Sequence, residues 1–384
     1  MNPVKVISPE PGRGRVKVRA VSTLFFSACL SFGISFFSQS PAMSQDDAQM
    51  IFAVDVIRHG DRAPIDDFKN APFNWPRGLG QLTAEGMDQE FQLGKQFRAR
   101  YIDKYHLLPE HYDFRTMYVR ASDVDRTLMS AECTLMGLYP LGTGPVGDDG
   151  AESAPSRYQP IPIHTRPREA DDVLVPDASK GVRDVYKKFV YDSDEWKQRT
   201  AKESPNFDHW SKVTGITITD LKQMSGIGDT VHIRQIHHVP MPEGMTKDDA
   251  ESMMSAGEWV FAHTFKPAEV GEATGGKLLA LIARYLDSAT TCDGKLKYVL
   301  FSAHDSTICS LMSAMRSPIE VRPPYSSDLS ISLWKRGDSF VVRAALNGVN
   351  VNFPGAKDGE APLEAFKKLV TVQAEAPKEL PNIR

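Results

Sequence analysis

Cysteine is scarce in this chain of 384 residues, which contains four. Cys29 lies in an apolar segment near the N-terminus, and the others are Cys133, Cys292 and Cys309. Three thiols form at most one internal disulfide, so at least one stays free or pairs elsewhere. This composition excludes a small disulfide-framework protein, and the hydrophobic core has to supply most of the stability.

Metal-binding spacings are also missing from the sequence. It contains neither a C-x-x-C pair nor an H-E-x-x-H motif, which are common zinc signatures. The adjacent pair His237-His238 precedes "VPMPEG", and we interpret it as a strand end rather than a ligand set. "GTGPVG" at 142–147 matches G-x-G-x-x-G, but Pro145 and the lack of a following helix favour a turn-rich loop over a dinucleotide site. We therefore predict no metal and no cofactor.

Neither sign of charge is in strong excess. The 45 Lys and Arg residues and 49 Asp and Glu residues give a formal net charge of −4. A nucleic-acid partner is therefore not expected, because such proteins usually present a basic surface. Any site for an anion has to be built locally, from basic side chains that the fold brings together.

The one long apolar run lies at the N-terminus. The basic stretch "GRGRVKVR" precedes "AVSTLFFSACLSFGISFF", and Ala42 and Ser44 then occupy the −3 and −1 places of a signal-peptidase site. We predict a signal peptide at 1–44, a mature chain from about Gln45, export to the periplasm or the exterior, and no stable membrane insertion afterwards. Two alternatives stay open: an uncleaved anchor, since about 18 apolar residues suffice for some spans, and lipid attachment at Cys29.

Short apolar strands and amphipathic helices alternate along most of the remaining chain. Strands are predicted in "IFAVDVI", "TMYVRAS" and "YVLF", and a hairpin in "DLSISLWK" and "SFVVRAAL". Helices are predicted over residues 83–105 and in "DVDRTLMSAECTLMGLY" and "GKLLALIARYLDSA". The helix after "YVLF" should begin at Ser306 or Thr307. This alternation predicts an α/β fold, with a mixed, mainly parallel sheet and helices on both faces.

Residues 140–270 interrupt the alternation. As far as about Pro176 the chain is rich in Pro, Gly and Asp, which indicates an irregular excursion. From there to about Gly271 it is mostly helical and polar, most clearly in "YKKFVYDSDEWKQRT" and "KDDAESMMSAGEWVFAHTF". We therefore predict one α/β domain formed by residues 45–139 and 271–384, with an inserted, mostly helical cap at 140–270.

Three polar clusters stand where a predicted strand meets a helix. They are Arg58-His59-Gly60-Asp61-Arg62, Ser122-Asp123-Val124-Asp125-Arg126 and His304-Asp305. Ligands of open α/β sheets bind at the carboxyl ends of the strands, so we expect the clusters to meet. Arg58, Arg62 and Arg126 would then repel one another unless an anion lay between them, and phosphate or sulfate best matches several planar guanidiniums. Gly60 would let the backbone approach that anion.

The histidines and the carboxyl favour catalysis over simple binding. A neutral imidazole in line with phosphorus is a nucleophile, and the surrounding positive charge should keep His59 neutral even in mild acid. Asp305 can protonate the leaving alkoxide if the bound phosphate raises the pKa of that carboxyl. This set of groups predicts an acidic pH optimum. Arg126 could instead pair with Asp123 or Asp125, and Asp305 could cap the following helix.

The motifs resemble those of the histidine acid phosphatases. "RHGDRAP" matches that family's R-H-G-x-R-x-P signature, and "SAHD" matches its distal H-D pair. "WPRGLGQLTAEGMDQ" and "VRASDVDRTLMSA" are similar to stretches of its prostatic-type members. The resemblance extends from Ile51 to about Leu369. It implies a phosphoglycerate mutase-like fold with a helical cap, and it allows a homodimer.

The resemblance also implies a role for each matched residue. His59 would become phosphorylated, and Asp305 would donate the proton to the leaving group. The phosphate would be held by four residues, which are Arg58, Arg62, Arg126 and His304. The chain departs from the secreted animal members in its cysteines, which cannot form their several disulfides, so the dimer and the cap are less closely specified than the α/β domain.

The predicted function is that of an exported acid phosphatase acting on small phosphomonoesters. One alternative is a phosphotransferase or mutase on the same scaffold, although mutases with an R-H-G motif usually lack the arginine and proline found here at Arg62 and Pro64. Another is a catalytically silent anion-binding surface protein. The sequence leaves the substrate open among phytate, nucleotides, sugar phosphates, phosphotyrosine and lysophospholipid phosphates.

Overall fold

A computed structural model describes residues 48–291 and 295–371. The predicted signal peptide at 1–44, together with Cys29 and Cys292, lies outside the described residues. Cys133 and Cys309 are free thiols. Within the described residues, no helix combines the length and the apolar character that crossing a membrane would require.

Among the described residues, a seven-stranded mixed sheet forms the centre of the fold, with the strand order β2-β3-β1-β4-β5-β6 and β7 paired with β5. The strands are β1 Gln49–Arg58, β2 Met117–Ala121, β3 Tyr298–Ala303, β4 Asp328–Arg336, β5 Ser339–Leu346, β6 Val349–Asn350 and β7 Glu360–Pro362. Strands β2, β3 and β1 are parallel, and β4 to β7 add antiparallel pairs. The predicted mixed α/β sheet is confirmed.

The described helices belong to two groups. Those that flank the sheet are α1 Ala84–Phe97, α2 Asp125–Leu138, α8 Ala268–Thr291, α9 Asp305–Ala314 and α10 Leu363–Lys367. Those between α2 and α8 are α3 Val182–Tyr186, α4 Asp194–Glu203, α5 Phe207–Thr214, α6 Met224–Ile236 and α7 Lys247–Thr264. π-helical turns follow α1 at Arg98–Lys104 and α3 at Lys187–Tyr191.

Strand β1 is buried on both of its faces. Phe52, Val54 and Val56 pack with α8, α9 and α10, while Ala53 and Ile57 pack with α1 and α2 on the other side. Successive side chains of a strand point to opposite faces. A strand covered on both faces therefore has the continuous apolar sequence that predicted it.

Asp55 interrupts this apolar run and is fully buried. It accepts hydrogen bonds from the hydroxyls of Tyr101 (2.9 Å) and Tyr298 (2.7 Å). Burial and the neighbouring Asp55 raise the pKa of Asp328 well above its usual range, although Arg100 donates a 3.0 Å hydrogen bond to it. The buried carboxylate of Asp55 therefore has hydrogen-bond partners on the face of the sheet that packs against α1.

The insertion between α2 and α8 has an apolar cluster of its own. Trp196, Trp210 and Phe261 pack in it, and Phe68 and Cys309 join it from outside the insertion. Residues 139–181 contain only short 3₁₀ turns, which agrees with the predicted irregular stretch. The helices α3–α7 correspond to the predicted cap, whose bounds at 140 and 270 remain a prediction.

Several predicted boundaries needed correction. The helix expected over 83–105 is α-helical as far as Phe97 and continues as a π-helical turn. "YKKFVYDSDEWKQRT" is divided at Asp192–Ser193, where Ser193 caps α4. The helix after β3 begins at Asp305, not at Ser306 or Thr307. This last difference matters, because it places a predicted catalytic residue inside the first turn.

Helices α1 and α2 touch through their backbones. A Cβ built on Gly94 would lie 2.0 Å from the carbonyl oxygen of Thr134, and one on Gly137 would lie 2.2 Å from that of Phe91. No side chain larger than hydrogen fits at these crossing points. This close contact holds α1 and α2 together, the helices that follow the parallel strands β1 and β2.

We expect Gly94→Ala to lower the free energy of unfolding by about 1–3 kcal/mol or more, because the methyl group forces the helices apart. Gly226→Ala in α6 is the matched control, since a Cβ there meets nothing within 4 Å and alanine is the better helix former. Thermal midpoints of the two variants test this. Equal midpoints would contradict the packing described for the α1–α2 crossing.

Candidate active site

The three polar clusters meet at one edge of the sheet. In the registers of the parallel strands, Arg58 lies opposite Ala303, and Ala121 lies opposite Ser302. The residues that follow these strands therefore emerge side by side. The rings of His59 and His304 are 5.7 Å apart at an interplanar angle of 73°. The predicted meeting of the clusters is thus found in the structure.

His59 is buried and has a defined tautomer. Its Nδ1 lies 2.8 Å from the carbonyl oxygen of Gly60. A carbonyl only accepts, so Nδ1 carries the proton and Nε2 keeps its lone pair. Burial lowers the pKa of His59 well below its usual value, and the charges of Arg126, Arg58 and Arg62 lower it further. The imidazole is therefore neutral, with burial as the larger cause.

Gly60 has a packing role. A Cβ on Gly60 would lie 2.3 Å from the carbonyl oxygen of Gly86 in α1, and a Cβ on Gly86 would lie 2.2 Å from that of Asp61. The Gly60 N–H donates to the hydroxyl of Ser130 (3.2 Å). Packing against α1 and α2 thus requires glycine at this position, and the expected approach of an anion to its backbone stays a prediction.

The three predicted arginines approach His59 from different elements. Arg58 ends β1 and donates to the carbonyl oxygen of Pro323. Arg62 donates to Asp229 of α6 (2.9 Å). Arg126, in the first turn of α2, lies 3.5 Å from Nδ1 of His304. Burial and the charge of Arg62 lower the pKa of Arg126 to about 10. Arg62 therefore lies close enough to Arg126 to disfavour the charge of that guanidinium.

Arg126 contacts His304 rather than Asp123 or Asp125, the pairing that the sequence left open. Asp125 accepts a hydrogen bond from the side chain of Gln81 (2.9 Å), and the guanidinium of Arg126 faces His304. A guanidinium only donates, so Nδ1 of His304 accepts and Nε2–H donates to Ser122 (2.9 Å). Burial and then Arg126 lower the pKa of His304 to about 3.

Asp305 is the first residue of α9, with His304 as the N-cap. The reading of Asp305 as the cap is therefore wrong by one residue. Its Oδ1 accepts from the backbone N–H of Ser306 (2.8 Å), and its Oδ2 lies 2.9 Å from Arg322 and 3.3 Å from Arg58. Burial alone would raise the pKa of Asp305, but the charges of Arg58 and Arg322 lower it well below its usual range.

The structure adds three residues that sequence reasoning missed. Arg322 donates to Asp305, Asp229 pairs with Arg62, and the ring of Tyr325 lies 4.1 Å from the guanidinium carbon of Arg58. β4 runs antiparallel to β1 and starts beside its carboxyl end, so the preceding "RPPY" segment necessarily lies near the site. That topology was the available signal for Arg322 and Tyr325. Asp229, inside a helix of the insertion, had no comparable signal.

Helix α6 and its C-cap contact the segment after His59 at three points. Asp229 forms an ion pair with Arg62 (2.9 Å) and Arg234 with Asp67 (2.5 Å), while Nε2 of His237, the C-cap residue, lies 2.9 Å from the carboxyl of Asp61. Thr230 adds a 2.9 Å hydrogen bond to the carbonyl oxygen of Asp66. The pair His237-His238 thus ends a helix, and the expectation of a strand end is wrong.

Unused donors and unbalanced charge mark the site as a place for an anion. In the described part of the chain, the Nε atoms of Arg58, Arg62 and Arg126 and the hydroxyl of Tyr325 are buried without a hydrogen-bond partner. The guanidiniums outnumber the carboxylates that contact them, because Asp229 and Asp305 are shared among the arginines. An anion with several oxygens would satisfy both deficits.

A buried glutamic acid lies behind His59. Glu90 of α1 is fully buried and accepts hydrogen bonds from the hydroxyls of Ser326 (2.8 Å) and Thr134 (3.0 Å). The N–H of Ser326 contacts the carbonyl oxygen of His59 (3.3 Å). Burial raises the pKa of Glu90 to about 8, so this side chain is neutral in acid.

The sequence predicts that the protein binds no metal. Over residues 48–291 and 295–371, no three His, Cys, Asp or Glu side chains gather in a way that could hold a metal ion. The charge that faces the pocket comes from arginines. The glycine motif at 142–147 lies in a loop, where the N–H of Gly144 donates a hydrogen bond to the carbonyl oxygen of Arg157 (2.8 Å).

Comparison with known proteins gives a consistent family. A family model described as histidine phosphatase superfamily (branch 2) matches residues 49–347. The prostatic acid phosphatase of Homo sapiens is 31% identical over 338 residues, which cover 84% of this chain and 85% of that protein. The lysosomal acid phosphatase of Bos taurus is 32% identical over 285 residues, covering 72% and 65%.

Solved structures share the fold. The apo phytase of Hafnia alvei aligns with a TM-score of 0.62 at 19% identity, covering 85% of this chain and 97% of that one. The phytase of Citrobacter braakii aligns with a TM-score of 0.60 at 16% identity, covering 84% and 97%. At such identities the likeness concerns the fold, and it confirms the predicted class.

Glu90 makes the stability of the protein depend on pH. Its pKa rises from 4.5 to about 8 on folding, so the native state holds an extra proton between these values and stability falls as pH rises through them. We expect Glu90→Gln to remove part of this fall, because an amide has no proton to lose. Thermal midpoints from about pH 5 to about pH 8 test it, with Glu132→Gln on the exposed face of α2 as the control. Parallel curves for wild type and Glu90→Gln would contradict the assignment.

Proposed function

Since the chain belongs to branch 2 of the histidine phosphatase superfamily, we propose that it hydrolyses phosphomonoesters through a phosphohistidine formed on His59. The observation that carries the proposal is the state of His59: a neutral imidazole, with Nε2 unprotonated, buried among three guanidiniums. Positive surroundings that attract a phosphate also keep this nitrogen nucleophilic.

In the first step, Nε2 of His59 attacks phosphorus and the P–O bond to the leaving group breaks. Asp305 gives its proton to the departing oxygen, so an alcohol leaves and a carboxylate remains. In the second step, Asp305 takes a proton from water, the oxygen of that water attacks phosphorus, and the P–N bond breaks. Inorganic phosphate leaves, and His59 and Asp305 return to their starting forms.

Arg58, Arg62, Arg126 and His304 hold the phosphoryl oxygens during both steps. Preorganised cations in a buried site stabilise the charge of the transition state without further rearrangement. A phosphate between Arg126 and His304 would also favour protonation of His304, because its charge opposes the effect of the guanidiniums. The arginines supply the positive charge that metal pairs provide in other phosphatases.

The acidic optimum follows from the proton that Asp305 has to carry. Without a ligand, Arg58 and Arg322 keep this carboxyl ionised. A bound phosphate offsets part of their charge and raises the pKa of Asp305, and low pH completes the protonation. The neutral state of His59 tolerates such acidity, since its own pKa is strongly lowered.

The leaving group has a place beside the phosphate pocket. A cavity of 410 Å³ is lined by Arg58, Arg322 and Tyr325 and by residues of α6 and α7 such as His232 and Met254. The cap helices therefore supply part of its wall, which supports a role for the cap in substrate choice. We also propose that residues 1–44 direct export to the periplasm or the exterior, where an acidic phosphatase would meet external phosphomonoesters.

His59→Ala should lower kcat by roughly 10⁶-fold, the loss typical of removing a hydrolase's nucleophile, with little change in thermal midpoint. Acid-labile phosphate should be trapped on the wild type and on the control His111→Ala, and be absent from His59→Ala. Trapping it on a different residue would overturn the assignment of the nucleophile. A wild type that turns over no phosphomonoester would instead favour the silent anion-binding alternative.

Asp305→Ala should lose activity in proportion to how much the leaving group needs a proton. On an alkyl phosphate the loss should be about 10²–10⁴-fold, the usual contribution of general acid–base catalysis, and on nitrophenyl phosphate much smaller. His304→Ala should weaken both substrates by similar factors, because it binds the phosphoryl group itself. The measurement is kcat/KM for both variants. Equal losses for Asp305→Ala would show that another group protonates the leaving oxygen.

A further inference from the structure

Arg322 connects the helical insertion to the carboxyl of Asp305. It lies in the loop between α9 and β4 and is mostly buried, with 12% of its side chain exposed. One Nη donates to Asp305 (2.9 Å), and Nε donates to Glu258 of α7 (3.0 Å). The guanidinium carbon lies 3.9 Å from the ring centre of Phe261, also in α7. A third carboxylate, that of Asp229 in α6, is 3.8 Å away.

We propose that Arg322 is a positioning residue that sets the upper pH limit of turnover, by dividing its charge between Asp305 and the carboxylates of the insertion. The proposal rests on the proposed function, in which Asp305 protonates the leaving group. Arg322 contacts both Asp305, the proposed proton donor, and the insertion helices α6 and α7.

The contacts of Arg322 give it alternatives to Asp305. Glu258 accepts from both its Nε and its backbone N–H (3.0 and 3.3 Å), and Ser225 of α6 lies 3.4 Å from its second Nη. The guanidinium can therefore turn away from Asp305 without becoming an unpaired buried charge, which would be costly. Removing the carboxylate of Glu258 would leave more of the cationic charge on Asp305.

Other titratable and charged groups also face Asp305, and the effect of Arg322 has to be separated from theirs. They are Arg58 at the end of β1, His59 and Arg62 in the following segment, Arg126 in α2, His304 at the N-cap of α9, and Cys309 in α9 itself. All of these except Cys309 are assigned to the nucleophile or the phosphate clamp, so their removal would disturb binding. Arg322 is the one cation within 4 Å of Asp305 in the described residues that has no such assignment, and it can be changed separately.

The direction of the effect follows from the sign of the charge. Arg322 favours the ionised form of Asp305, whereas the reaction requires the protonated form. Arg322→Met should therefore move the alkaline limb of the kcat profile up by about one to three pH units, the range over which an adjacent guanidinium shifts a carboxyl. Glu258→Gln should move the limb down, because Arg322 loses its competing partner.

The experiment measures kcat against pH for the full chain on glycerol phosphate and on nitrophenyl phosphate. The variants are Arg322→Met, Arg322→Lys and Glu258→Gln. The control is Arg316→Met, which removes an arginine just beyond the end of α9 that pairs with Glu272. We expect opposite shifts for Arg322→Met and Glu258→Gln, a smaller shift for Arg322→Lys, and none for the control. The shifts should be larger on glycerol phosphate, whose leaving group needs the proton.

A uniform loss of kcat at every pH in Arg322→Met, with no movement of the limb, would show a merely structural role and overturn the proposal. If Arg322→Met does not fold, Arg322→Lys and Glu258→Gln decide the matter, since both retain a cation at 322. Failure of the proposed function looks different: no phosphohistidine would form, or Asp305→Ala would lose equally on both substrates. If those two results hold and the limb stays in place, the inference about Arg322 alone is wrong.

Discussion

Repulsion between closely placed guanidiniums is the constraint around which this site is organised. Arg58 and Arg62 are buried, Arg126 is half-buried, and all three lie near the neutral imidazole of His59. Such charges are tolerated only where counter-charges or an anion offset them. Asp229 and Asp305 offset part of the charge, and one of them comes from the insertion and the other from α9. The pocket thus holds an excess of positive charge, which the proposed binding of a phosphate would offset.

The part of the site that local chemistry determines could be predicted from the sequence. Strand ends, helix starts and the clustering of Arg, His and Asp at those points are short-range features, and a parallel sheet brings them to one edge. For this reason the sequence alone predicts that the clusters containing Arg58, Arg126 and His304 meet, as they do in the structure. The apolar run of β1 could be read in the same way, because a strand buried on both faces has no polar periodicity.

Contacts that do not follow from the topology of the sheet could not be predicted. Asp229 is 167 residues away from Arg62, and no local pattern pairs them. The close approach of Gly60 to the backbone of α1 was also not predicted, because only the packing of the folded chain reveals it. The start of α9 at Asp305 was also not predicted. Ser and Thr are favoured at helix starts, whereas this chain uses His304 as the N-cap.

The contacts between α6 and residues 61–67 have a consequence for the evolution and engineering of substrate specificity. Asp229 and Arg234 lie on α6 and His237 caps its C-terminus, and each contacts a residue between 61 and 67. An insertion transplanted from a relative would bring a new cavity wall, but it would leave Arg62 without its carboxylate unless Asp229 were retained. Under the proposed role of the cap in substrate choice, changing a wall residue of α7 such as Met254 would alter the cavity while keeping these contacts.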